Sequence, residues 1–120
     1  MTNVVTTSWG KSVEIVQDAT QDNGRRIHSG GYNEVNSCGV IPIHVHENEN
    51  EEYVPQNEGM KILVLSKEEA EQLTDAQIFQ KLSEIEAEEV GEVITCHKGY
   101  AHALYNSSNE TGWVVFIKYD

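Results

Sequence analysis

The sequence predicts an all-β fold, an antiparallel barrel or sandwich with one short helical insert. Three observations point there. Several short segments alternate polar and apolar residues or are continuously apolar and β-branched. Turn-forming residues separate them. Only one stretch, about 67–86, changes to helical spacing.

The segments follow in order. Residues 11–17 (KSVEIVQ) alternate, with Val13 and Ile15 on one face and Ser12 and Glu14 on the other. Asp22-Asn23-Gly24 reads as a turn. Residues 25–28 read as a strand broken by Gly30-Gly31. Residues 39–46 (GVIPIHVH) are apolar and β-branched, and Pro42 marks an edge or bulged strand. Residues 47–58 are acidic and polar, with Pro55 inside, and read mostly as loop with a strand around 52–54. Residues 60–65 (MKILVL) form a buried strand.

The period then changes. Ser66 with Glu69, and Thr74 with Gln77, are capping boxes. Ile78, Leu82 and Ile85 recur at i, i+4 and i+7, so 67–73 and 75–86 predict two short helices covering one barrel edge. Residues 92–96 (EVITC) and 113–119 (WVVFIKY) close the pattern as strands, with a turn over 106–112. Val115, Ile117 and Tyr119 share one face of the last strand, and Val114, Phe116 and Lys118 the other. Apolar residues on both faces predict cover on both and hence a homodimer. No repeat or linker divides the 120 residues, which read as one domain.

Net charge is −12, from 20 acidic and 8 basic residues. Nucleic acids and anionic membranes need a positive footprint, so neither is an expected partner. A small-molecule ligand fits better. No apolar run approaches the roughly 20 residues of a membrane span, and the start, MTNVVTTSWG, lacks a signal-peptide pattern. The expected location is cytoplasmic. Cys38 and Cys96 show no zinc or redox spacing, so free thiols are expected.

Five histidines carry the chemistry. His44 and His46 form an H-x-H pair, and residues i and i+2 of a strand point to one face. Two such imidazoles can converge on one ion, and a carboxylate can complete the shell. A second cluster runs from Gly91 through Gly99 and His102 to Asn106.

Together these stretches resemble the cupin family. Its first motif is G-(x)5-H-x-H-(x)3,4-E-(x)6-G, and its second is G-(x)5-P-x-G-(x)2-H-(x)3-N. Gly91, Gly99, His102 and Asn106 match the second at every interval, and His97 replaces the usual proline. His44, His46 and Gly59 match the first, with Gly39 one residue closer to His44 than the pattern asks. Glu52 has the right interval to Gly59, and Glu51 the right interval from His46; Glu52 is the preferred ligand and Glu51 the alternative. The motifs cover about 39–59 and 91–106, and the helical insert lengthens the stretch between them.

The resemblance implies a cupin-type antiparallel β-barrel, a double-stranded jelly roll. It implies one divalent metal ion (Zn, Fe, Mn or Ni) held by His44, His46, His102 and Glu52 inside one mouth of the barrel. Open coordination positions would admit a sugar or a keto or hydroxy acid for isomerase- or dioxygenase-type chemistry. A non-catalytic metabolite-binding barrel is the alternative. His97 is read first as a turn residue and second as a proton shuttle at the mouth. Asn106 is read as structural.

Overall fold

A computed structural model describes residues 2–20 and 24–120. The chain forms β1 (Asn3–Thr7), β2 (Gly10–Thr20), β3 (Arg26–Val35), β4 (Val40–Val45), β5 (Asn50–Pro55) and β6 (Met60–Ser66). Two helices follow, α1 (Lys67–Glu71) and α2 (Asp75–Glu84), and then β7 (Ile94–Cys96), β8 (Tyr100–Asn106) and β9 (Gly112–Tyr119). Apart from Gly24, the turn expected at Asp22-Asn23-Gly24 lies outside the described residues.

The strands make two antiparallel sheets, as expected for a jelly roll. One has six strands in the order β1-β2-β3-β9-β5-β7, and the other three in the order β4-β8-β6. The core lies between them. Val35, Tyr53, Val114 and Phe116 from the large sheet meet Ile41, Ile62 and Leu104 from the small one. A second cluster lies on the opposite face of the small sheet, where Leu63, Leu65 and Ala103 pack against Ile78 and Leu82 of α2. The helical insert therefore covers a sheet face rather than a barrel edge, because its apolar stripe meets the outward-pointing residues of β6 and β8.

Both helix starts are capped. Ser66 Oγ accepts from Glu69 N–H, and Thr74 with Gln77 makes a complete capping box. The helices are shorter than expected, ending at Glu71 and Glu84.

Two expectations about strands are corrected. Gly30-Gly31 does not break β3, which runs through to Val35. A Cβ on Gly31 would stand 1.9 Å from the Val13 carbonyl oxygen, so glycine here permits a close approach of β3 to β2. Residues 50–55, read mostly as loop, form β5 between β7 and β9. Glu51, Tyr53 and Pro55 are buried while Asn50, Glu52 and Val54 are half-buried, a period of two that acidic composition hid. Among the described residues, no helix is long and apolar enough to cross a membrane.

Candidate metal centre

Three strands and one bulge converge the site. In β4 the ladder to β8 shifts register between Ile41 and His44, around Pro42. A proline has no N–H to offer the ladder, so it sits in the irregular part of the strand. The Pro42 carbonyl accepts a 2.8 Å hydrogen bond from His44 Nδ1, which leaves Nε2 free to ligate. His44 pairs with His102 of β8 across the ladder, and His46 lies on the same side as His44. Glu51 reaches them from the facing sheet.

His44, His46, Glu51 and His102 each offer one ligand atom, and these atoms all lie within 4.8 Å of one another. With metal–ligand bonds of about 2.0–2.2 Å, donors on opposite sides of one ion stand about 4.0–4.4 Å apart. The four atoms are thus within a few tenths of an ångström of that spread. Glu51 Oε1 is 3.0 Å from His102 Nε2 and 3.3 Å from His46 Nε2, yet none of these buried atoms has a hydrogen-bond partner. Buried polar atoms are rarely left so. A cation among them satisfies all of them at once, and the donor set suits Zn, Fe, Mn or Ni.

The electrostatics agree. Burial pushes the Glu51 carboxyl up, but the contacts to His102 and His46 and the charge of Lys118 outweigh it and hold it at about 2. Burial holds His44 below its ordinary value. A deprotonated carboxylate and a neutral imidazole are the ligating forms. Outside the four, Glu49 lies 3.4 Å from His46 Nδ1 and 2.7 Å from His28 Nδ1, and His28 Nε2 lies 2.5 Å from Asp120. Glu49 thereby orients His46, and His28 orients Glu49.

Glu52, the glutamate preferred from the sequence, is not brought to this group. It lies on the other face of β5, where the Tyr119 hydroxyl donates to it at 2.9 Å and Arg25 Nη2 lies 3.4 Å away. Neighbours on a strand point to opposite faces, so only one of the two glutamates can face the histidines. His97 is also apart from the cluster. It is an exposed turn residue whose carbonyl accepts from Tyr100 N–H, and Gly99 takes the positive φ of 83° that this turn requires. Asn106 is fully buried and structural. Its Nδ2 donates to the Val35 and Glu110 carbonyls at 3.0 and 2.9 Å, tying β8 to β3 and to the last turn. Cys38 and Cys96 are both free; burial and then the Glu51 charge push the Cys96 thiol up to about 12.

The cluster opens onto a cavity of about 180 Å³. Trp9, Ile41, Tyr53 and Phe116 supply its apolar wall. Ser12, Asn33 and Lys118 supply its polar groups. Sequence reasoning passed over Lys118. The signal was available, since Lys118 ends the inward-facing series that begins with Val114 and Phe116.

No family model matches the chain, and no curated protein is similar to it in sequence. Solved structures are similar in fold. The CENP-C cupin domain of Drosophila melanogaster aligns over 98% of this chain and 72% of its own, with 10% identity and a TM-score of 0.65. The capsular polysaccharide assembling protein CapF of Staphylococcus aureus aligns over 98% of this chain but 28% of its own, with 15% identity and a TM-score of 0.65. A predicted oxalate decarboxylase of Thermotoga maritima aligns over 98% of this chain and 90% of its own, with 14% identity and a TM-score of 0.59. At such identities the likeness shows the fold, and that fold is the cupin jelly roll.

Proposed function

We propose that this cupin-fold chain is a metal-dependent enzyme acting on a small oxygen-rich metabolite, a sugar or a keto or hydroxy acid, by isomerase- or dioxygenase-type chemistry. One observation carries the reading: three imidazoles and a carboxylate converge with buried, unpartnered donor atoms at the base of a cavity. His44, His46, His102 and Glu51 would hold one divalent ion. When bound, such an ion supplies Lewis-acid polarisation of a ligand oxygen. The chain does the rest. The apolar wall excludes water, Ser12 and Asn33 offer hydrogen bonds, and Lys118 offers a positive charge. The cavity lies below the about 300–1,000 Å³ typical for drug-sized ligands, which supports a small metabolite.

A second reading is a non-catalytic metabolite-binding barrel. It is favoured by the cavity's sparse acid–base equipment. Beyond the four ligands, Tyr53 and Lys118 are the titratable groups among its described lining residues, and burial pushes the Tyr53 hydroxyl well up. Metal analysis of protein purified without chelator, followed by a thermal-shift screen of sugars and keto acids, tests both. Less than stoichiometric metal overturns the first reading. A stabilising ligand that is not turned over selects the second.

The partner we propose is a second copy of the chain, docked on the outer face of the large sheet. That face carries Val4, Tyr32, Trp113 and Val115, and Val4 and Trp113 are 57% and 39% exposed. Cytoplasmic location remains the reading that charge and free thiols support.

A further inference from the structure

The inner face of the large sheet continues past the metal cavity. Register places Ser29 of β3, Lys118 of β9 and Glu51 of β5 in one cross-strand row. The next row holds Asn3, Glu14, Gly31 and Phe116. Gly31 lies between Glu14 and Phe116 in this row and lets β3 close tightly on the β2 backbone. A second cavity of about 450 Å³ lies there, more than twice the first. Ser12, Phe116 and Lys118 line both cavities, so the two share a wall.

The polar groups of the second chamber differ from those beside the metal ligands. Glu14 is its anion. The Ser29 hydroxyl and the Gln17 amide donate to its carboxylate, and Asn3 Nδ2 donates at 3.1 Å. These bonds fix the carboxylate in place and leave lone pairs for hydroxyl donors. Lys118 stands at the junction, opposite Glu51, and no carboxylate among the described residues pairs with it directly. One end of the combined space therefore favours an anion, and the other favours hydroxyl donors and disfavours a second anion.

We propose that the two chambers form one extended ligand site for a polyhydroxylated monocarboxylate. Its carboxylate lies between the metal ligands and Lys118, and its hydroxylated chain runs toward Glu14, Ser29 and Asn3. Glu14 is the specificity residue, because its fixed charge rejects a carboxylate or phosphate at the far end of the ligand. This assignment rests on the metal-dependent reading above and names its substrate class.

Three probes of one carbon skeleton test it. Sorbitol, gluconate and glucarate carry none, one and two carboxylates. Calorimetric titration of each into metal-loaded protein should give gluconate the tightest binding, by at least about tenfold over the other two. Glu14→Gln should bring glucarate to within about threefold of gluconate, and Lys118→Met should reduce gluconate to the level of sorbitol. Metal content and circular dichroism are measured for every sample. Absence of metal in the parent protein overturns the proposed function and this inference with it. Metal-loaded protein that binds glucarate or sorbitol as well as gluconate overturns the inference alone. So does a folded, metal-loaded Glu14→Gln variant with an unchanged glucarate-to-gluconate ratio.

Discussion

Glu51 and Glu52 are adjacent in the chain and belong to different environments: Glu51 faces three histidines in the interior, and Glu52 bonds to Tyr119 and Arg25 on the outside of the sheet. The pair gives an internal control for the metal site. Changing an outer residue that only orients a ligand typically costs 10–100-fold in metal affinity, and loss of a ligand costs at least about as much. Glu51→Gln should therefore weaken metal binding by about 100-fold or more, while Glu52→Gln leaves it within about threefold. Competition with a chromogenic chelator measures both. Equal losses in the two variants would return the acidic ligand to an open question.

The histidines give a second test. Changing His44 and His46 together to Ala should abolish stoichiometric metal, because two of four donors disappear. The companion variant is Asn106→Ala. Asn106 lies on the same strand as His102 but ties backbone segments together, so its loss strands buried carbonyls and costs about 2–4 kcal/mol of stability. Metal stoichiometry of the folded fraction should not change. Plasma emission analysis and urea unfolding separate the two effects.

Much of this site was legible before the fold was known. His44 and His46 follow from spacing, since H-x-H on a strand has one geometric consequence, and His102 follows from the resemblance of residues 91–106 to the second cupin motif. The glutamate did not follow. The interval between His46 and Gly59 is one residue longer than the family pattern, and spacing from either end selects a different residue. Burial phase decides it, and the phase was masked because Glu51 is a charged residue at a core position. Gly30-Gly31 misled for a related reason. Composition cannot distinguish a glycine that ends a strand from one that lets two strands approach. Lys118 was passed over because charge at a strand end reads as solvent-facing, whereas here the inward series continues to the barrel mouth.

The apolar patch on the outer face, around Tyr32, Trp113 and Val115, predicts association. Protein at tens of micromolar should scatter light with the mass of a dimer, and Val115→Glu should shift it to monomer. Val115 sits centrally on that face beside Tyr32 and lines an outer depression with Trp113. A monomeric parent protein would reject the assignment.

His28 predicts a pH dependence of the apo-protein. Hydrogen bonds donated to Glu49 and then to Asp120 hold the His28 pKa above the ordinary histidine value in the folded chain. A group with a raised folded pKa stabilises most below its unfolded pKa, about 6.5, and loses that contribution as pH rises through the folded value. The stability of the parent over His28→Gln should thus be largest near pH 6 and decline toward pH 8. Urea midpoints across that range, in chelator-treated protein, measure it. A difference that grows with pH would show that His28 is held neutral.

Metal should order one short segment rather than the whole acidic stretch. Residues 50–55 are already fixed, since β5 bonds to β7 on one side and β9 on the other. Residues 47–49 lie between His46 and β5 and have no such ladder. Glu47, Glu49 and Glu51 repel one another there, and a cation held by His46 and Glu51 offsets that repulsion at both ends of the segment. Fixing a residue's backbone costs about 1–2 kcal/mol, so a metal bond can order only its near neighbours. Hydrogen exchange should slow on metal loading at 47–51 and stay unchanged at 52–55. Equal exchange at 47–51 in the two forms would mean that Glu51 does not bind the ion and that three histidines hold it alone. Slowing that spreads through 52–55 would mean instead that β5 is not formed until metal binds.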